Sequence, residues 1–220
     1  MNEILEKRYW ENVKRAGEVK REARHPVVSF FASERIEYMK KFIDFNNIKN
    51  ALDVGCGTGF SAAHFPSSID IIGMDFSLRN LTIAPIKSKI QASAYCLPLF
   101  FKCFDLVYGW DFLHHLDSPE KAIIEMARVT KKYLVLFEPN SNNPIQFLYA
   151  FSNKNERGTL KFNKNKLLEF LDTIKFKLIK CDTVGWTFAG ATPTFTLGIN
   201  KLLPFSHRMG VSTVLICERS

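Results

Sequence analysis

The sequence lacks any apolar run of membrane-spanning length. Its longest weakly charged stretch, 184–205, is broken by Gly190, Pro193, Pro204 and several threonines, whereas a spanning helix needs about 20 consecutive apolar residues. Cysteine pairing is missing as well. The five cysteines (Cys56, Cys96, Cys103, Cys181 and Cys217) include no C-x-x-C and leave an odd count, which predicts neither a disulfide framework nor a zinc site. No signal-peptide pattern opens the chain, so it reads as cytoplasmic. Internal repeats and low-complexity segments are also missing, which argues against solenoid and fibrous classes. Acids are the minority charge, 22 against 30 Lys and Arg, for a net charge of +8. The excess is dispersed except for a basic stretch at 154–180. That stretch suits phosphate or an acidic membrane surface, but no aromatic–basic alternation marks a nucleic-acid platform.

What is present is an ordinary globular composition, 46% hydrophobic and 24% charged over 220 residues, enough for one domain. Residues 1–50 read as a helical cap, whose first part alternates sign (Glu3, Glu6, Lys7, Glu11, Lys14, Lys20, Glu22) as a solvated helix face does. From residue 51 to 140, short apolar runs alternate with helical patterns. Strands are predicted at 51–54, 69–75, 89–94, 104–109 and 132–138. Helices are predicted at 58–65, after the Ser77 cap, and from Ser118-Pro119-Glu120 to about Thr130. Such alternation implies right-handed crossovers and a mainly parallel sheet. Residues 141–220 form the other half, with a helix at 163–173 and strands at 176–184 and 211–218. The region between those strands, 185–210, is far longer than a hairpin needs. It reads as an apolar insertion of the kind that forms lids and binding loops.

The chemistry concentrates at Asp53-Val54-Gly55-Cys56-Gly57-Thr58-Gly59. A strand, a glycine loop and a helix suit either a dinucleotide or S-adenosylmethionine, and the formal G-x-G-x-x-A match at Gly57 decides nothing. Asp53 discriminates. A carboxylate two residues before the first glycine repels a pyrophosphate, whereas S-adenosylmethionine presents an ammonium and a sulfonium. Asp75, ending the second strand, suits ribose hydroxyls, and Phe76 suits packing on adenine.

These residues, with Gly73-Met74-Asp75, Cys96-Leu97-Pro98-Leu99, Phe104-Asp105-Leu106-Val107, Leu113-His114-His115-Leu116 and Tyr133 to Pro139, resemble the class I S-adenosylmethionine-dependent methyltransferases. The chain is most similar to the small ubiquinone and menaquinone C-methyltransferase-like (type 11) enzymes, over about residues 25–185. The resemblance implies a Rossmann-like α/β fold: a seven-stranded, mainly parallel sheet with helices on both faces and the last strand antiparallel. It implies that Asp53, Gly55, Cys56, Gly57 and Gly59 surround the methionine part and Asp75 holds the ribose. Leu97 would lie near adenine, and Trp110 would face the sulfonium. One departure stands out, since the family's acid before the adenine loop is replaced here by Gln91-Ala92-Ser93-Ala94. Ser93 offers a weaker neutral hydrogen bond, beside Ala94.

Methyl transfer needs an aligned acceptor and, for oxygen or carbon, a base. Asp111, His114 and His115 follow the fourth strand and are the catalytic candidates, with Glu138 ending the fifth. A histidine there also serves simply to bond the turn. Asp111 with a histidine also matches part of a metal site, but without a distant fourth ligand no metal is expected. No Asn-Pro-Pro-Tyr follows the fourth strand and no Pro-Cys nucleophile is visible, so the acceptor is expected to be a small molecule. The aromatic insertion and Phe147, Leu148, Tyr149 and Phe151 point to a hydrophobic or lipid-like one, with peripheral membrane contact and no specific nucleic acid. Two rivals remain at this stage: an RNA or protein methyltransferase using the basic surface, and a binding module that has lost its chemistry.

Overall fold

The computed structural model describes residues 24–190 and 192–220; the alternating-charge segment expected to open the cap lies outside them. Seven strands form one sheet in the order β3-β2-β1-β4-β5-β7-β6. They are β1 (Asn50–Val54), β2 (Asp70–Asp75), β3 (Ser88–Gln91), β4 (Phe104–Trp110), β5 (Thr130–Pro139), β6 (Phe176–Val184) and β7 (Ser212–Arg219). The first five are mutually parallel, and β7 runs antiparallel to both β5 and β6. That is the predicted topology, and strand ends match the sequence reading within a few residues.

The central strands carry apolar residues on both faces, as strands covered on both sides must. Along β5 the side chains alternate. Leu134 and Leu136 join a core with Ile123 and Met126 of α3 (Pro119–Val129) and Leu167 of α5 (Lys164–Glu169). Val135 and Phe137 join the opposite core with Ala32, Ile36 and Met39 of α1 (Pro26–Met39). Helices therefore cover both faces. Local chemistry sets their starts: His25 caps α1, Ser77 caps α2 (Leu78–Ile83), and Asn143 caps α4 (Pro144–Ser152), each satisfying an otherwise orphaned N–H.

One predicted helix is missing, and α4 was not predicted. The helix predicted at 58–65 is only a three-residue 3-10 turn, Ala62–His64. Eight residues nucleate poorly, and tertiary contacts claim them. Phe65 stacks between Phe45 and Tyr108 at 5.6 and 4.9 Å, and the Ser61 hydroxyl is spent on Asp53. The insertion is an irregular excursion containing only a 3-10 turn, Thr194–Thr196, and α6 (Leu197–Asn200). It leaves β6 at Val184 and returns at Ser212, and Ser212 pairs with both Val184 and Pro139. The insertion thus sits at the sheet end where the parallel strands finish, the end that also carries the glycine loop.

Candidate cofactor and acceptor site

At the end of β1 the chain turns through Gly55, Gly57 and Gly59, with φ of +71°, +52° and +74°. A Cβ added at Gly57 would meet nothing within 4 Å, so only the left-handed backbone demands glycine there, and the space above it is open. Gly55 is different. A Cβ there would come within 2.6 Å of the Phe112 ring, which also lies against Gly109. Phe112 thus roofs the loop, a role the sequence did not single out because an aromatic after a strand ordinarily reads as core. Cys56 is buried, with its N–H donating to Met74 O at 2.9 Å.

Asp53 is 2% exposed. Its carboxylate accepts from the Ser61 hydroxyl, which lies 3.2 Å from the Tyr108 hydroxyl. Burial pushes its pKa up to about 7, the two hydroxyls pulling the other way. Asp53 acts on the loop from beneath. Asp75 accepts from Gly57 N–H at 2.8 Å through one oxygen, and from Ser77 N–H at 2.8 Å and the Asn80 amide at 3.4 Å through the other. The acid expected at the ribose therefore latches the glycine loop, and ribose hydroxyls would have to take over the Gly57 donation.

On the adenine side, Phe76 and Ala94 are half-buried, and the Ser93 hydroxyl accepts from Tyr95 N–H at 3.2 Å. Leu97 is in the core. Its N–H donates to Glu125 at 2.8 Å, and Arg128 donates to the carbonyls of Leu97 and Leu99 at 2.9 and 2.8 Å. This α3 acid–base pair clamps the loop. From sequence it looked like any surface i,i+3 pair, because its target lies 28 to 31 residues away.

Trp110 is buried among Phe60, Tyr108 and Phe137, with ring centroids 5.5–6.0 Å away. Its indole N–H has no hydrogen-bond partner, and a buried donor left so calls for one. The left-handed glycines, the open space above Gly57 and this orphaned donor fit a polar ligand that brings its own acceptors. They fit a pyrophosphate poorly. The Ala62–His64 turn offers no helix N-terminus for an anion.

The three catalytic candidates are placed differently from one another. Asp111 has φ +54°, and both its carboxylate oxygens accept from Arg35, at 2.7 and 3.2 Å. Arg35 is buried, donates also to the Ser212 hydroxyl at 2.9 Å, and lies over the Phe31 and Phe137 rings at 3.9 and 4.7 Å. A carboxylate so paired is a positioning group rather than a free base. His114 Nδ1 lies 2.7 Å from Glu138, whose two oxygens also accept the N–H groups of Phe112, Leu113 and His114 at 2.9–3.3 Å. Glu138 thus fixes the Leu113–His115 turn. Burial alone would lower the His114 pKa, but Glu138 and Glu156 outweigh it and raise it to about 10. A side chain held as an imidazolium is a poor base. His115 is half-buried, its ring centroid 3.9 Å from that of His114. Ligand atoms of His114, His115 and Glu156 lie within 4.8 Å of one another, a set able to hold a cation. Glu156 was unanticipated. It arrives because Gly158 packs on the His114 carbonyl, where a Cβ would come within 1.7 Å.

The structure adds a fourth candidate. A small cavity between α1 and the insertion is lined by Phe31, Glu34, Arg35, Val184, Phe205 and Val211, among others. Burial raises the Glu34 pKa to about 7. In sequence Glu34 was one charge among many on the cap.

Comparison with known proteins accords with this geometry. The profile of the family described as Methyltransferase domain matches residues 52–136. Over that stretch the chain is similar to a methyltransferase domain. Demethylmenaquinone methyltransferase of Renibacterium salmoninarum is 35% identical over 88 residues, 38% of this chain and 37% of that protein. This chain covers less than half the length of the curated relatives it matches. Among solved structures, a SAM-dependent methyltransferase from Archaeoglobus fulgidus superposes with a TM-score of 0.66 at 17% identity, over 87% of this chain and 94% of that one. Magnesium protoporphyrin IX methyltransferase from Synechocystis PCC 6803, solved with bound SAH, gives 0.67 at 13% identity over the whole of both chains. These structures share the fold.

Proposed function

We propose that the chain transfers a methyl group from S-adenosylmethionine to an oxygen or carbon of a small, hydrophobic acceptor that it meets at a membrane surface. The observation that carries this reading is the small cavity between α1 and the insertion, where Phe31, Val184, Phe205 and Val211 join Arg35, Thr187, Ser212 and one carboxylate, Glu34, whose pKa burial raises to about 7. A base works best when its pKa lies near the working pH. The relatives named for a quinone precursor and for a porphyrin are consistent with an acceptor of this kind.

S-adenosylmethionine, when bound, supplies a methyl group made electrophilic by the sulfonium. The loop glycines would admit its methionine part, Asp53 would favour its cationic end, and Asp75 would hold the ribose hydroxyls in place of the Gly57 N–H. Arg35 holds Asp111 and the aromatic wall in place, the apolar walls exclude water from the acceptor, and Glu34 takes the acceptor's proton as the new bond forms. Calorimetric titration should show binding of S-adenosylmethionine, and its absence would leave a fold without this chemistry. With an apolar acceptor in detergent, Glu34→Gln should lower kcat by about 100-fold and remove the rise in kcat near pH 7. An unchanged pH profile would sink the role given to Glu34.

A further inference from the structure

Helix α4 has its polarity turned out. The side chains it buries are Gln146 and Ala150, while Ile145, Phe147, Leu148, Tyr149 and Phe151 are exposed, Leu148 by 63% and Phe151 by 66%. A surface helix normally shows the reverse, and contiguous exposed apolar area of this kind marks an interaction site. The insertion presents a second apolar run, Phe195, Ile199 and Leu202. Both leave the same end of the sheet, α4 after β5 and the insertion between β6 and β7. Asn143, the cap of α4, donates to Met209 O at 2.6 Å and so ties the helix to the end of the insertion.

The charges around these runs have one sign. Segment 185–211 contains no acid, and segment 141–161 contains only Glu156, which turns inward to lie 3.4 Å from His114. The exposed charges left are Lys154, Arg157, Lys161, Lys201 and Arg208. A second copy of this chain docked symmetrically on the face would set these cations against one another. A bilayer with anionic headgroups would not. We propose that α4, with the insertion beside it, docks on an anionic lipid surface, the apolar side chains entering the acyl boundary and the basic ones meeting the headgroups. This deepens the apolar-acceptor reading, because it places the acceptor's source at the sheet end that carries the glycine loop. It also stands apart from that reading: docking is measured with no S-adenosylmethionine present, so it can fail while the cofactor titration succeeds.

The test is co-sedimentation of the full chain with vesicles of phosphatidylcholine alone and of phosphatidylcholine mixed with phosphatidylglycerol. The mixed vesicles should capture the protein and the neutral ones should capture much less, with the difference shrinking at high salt. Lys154→Glu and Arg157→Glu should each lower partitioning about fivefold or more, as expected for charges contributing about 1 kcal/mol apiece. Leu148→Glu with Phe151→Glu should abolish capture while leaving the circular-dichroism melt and calorimetric binding of S-adenosylmethionine unchanged, since both side chains are exposed and neither is among the partners of the loop described above. Three results would overturn the proposal: no capture by mixed vesicles, equal capture by the Leu148/Phe151 variant, or a stable dimer in light scattering that Leu148→Glu dissolves.

Discussion

Asp53 shows how one buried side chain sets function against stability. Its carboxylate sits under the glycine loop with two hydroxyls for company, and burial raises its pKa from 3.8 to about 7. In the unfolded chain the group loses its proton near its ordinary value, so between those two pH values the folded state binds more protons than the unfolded state. Stability contributed by this group therefore falls as pH rises across that window, by up to roughly 1.4 kcal/mol per pH unit. Asp53→Asn removes the titration while keeping the shape and an acceptor for Ser61. Between pH 5 and pH 8, urea unfolding should find the stability of the variant relative to wild type rising by roughly 1–3 kcal/mol. Calorimetry on the same protein should show weaker binding of S-adenosylmethionine. The same difference at both pH values would mean that Asp53 keeps an ordinary pKa in the fold.

At the scale of elements, strands and helix starts were legible because their signals are local. The apolar run of β5, the Ser77 cap and Pro119 at the first turn of α3 each act within a few residues, whereas α4 and its Asn143 cap were not read. The glycine turn after β1 and the place of Asp75 at the end of β2 were legible for the same reason. What escaped the sequence depends on partners far along the chain. The helix expected at 58–65 gave way because Phe65 is drawn to Phe45 and Tyr108. Glu34 is notable only because the insertion covers it, and Glu125 with Arg128 matter only through the loop they clamp. Asp111, read as a catalytic candidate, is held by Arg35, 76 residues away. The Leu113–His115 turn gives this dependence a measurable form. Glu138 accepts from three successive backbone N–H groups and lies 2.7 Å from the His114 ring, with no exposure to water. Glu138→Gln keeps one acceptor oxygen and turns an amide donor toward those donors. Leaving buried polar groups unmatched should cost about 3 kcal/mol, readable as a lower urea midpoint at unchanged slope. A variant as stable as wild type would show that the turn is held by its own packing.

Across the whole molecule, the cofactor face is closed by contacts that a ligand must exchange rather than add to. Asp75 holds Gly57 at 2.8 Å, and the Phe112 ring covers Gly55 and Gly109, so the loop joins β1, β2 and the turn after β4 into one latch. A ligand that replaces the Gly57 donation with two ribose hydroxyls and satisfies the Trp110 indole keeps those elements joined and adds its own contacts. A ligand carrying a pyrophosphate breaks the latch and finds neither a helix N-terminus nor a cation in the loop segment 53–59, only Asp53. Stabilisation by a ligand that binds the folded state alone follows its concentration relative to Kd, and reaches about 2.7 kcal/mol at 100 times Kd. For a chain of this size that corresponds to a rise in melting temperature of roughly 5–10 °C. Thermal melts should therefore show such a rise with saturating S-adenosylmethionine or S-adenosylhomocysteine and none with NADH. Gly57→Ala, which has room for its methyl group but the wrong φ, should diminish the shift. If NADH raised the melting temperature as far, the loop would be a dinucleotide site, and the role given to Asp53 would have to be abandoned.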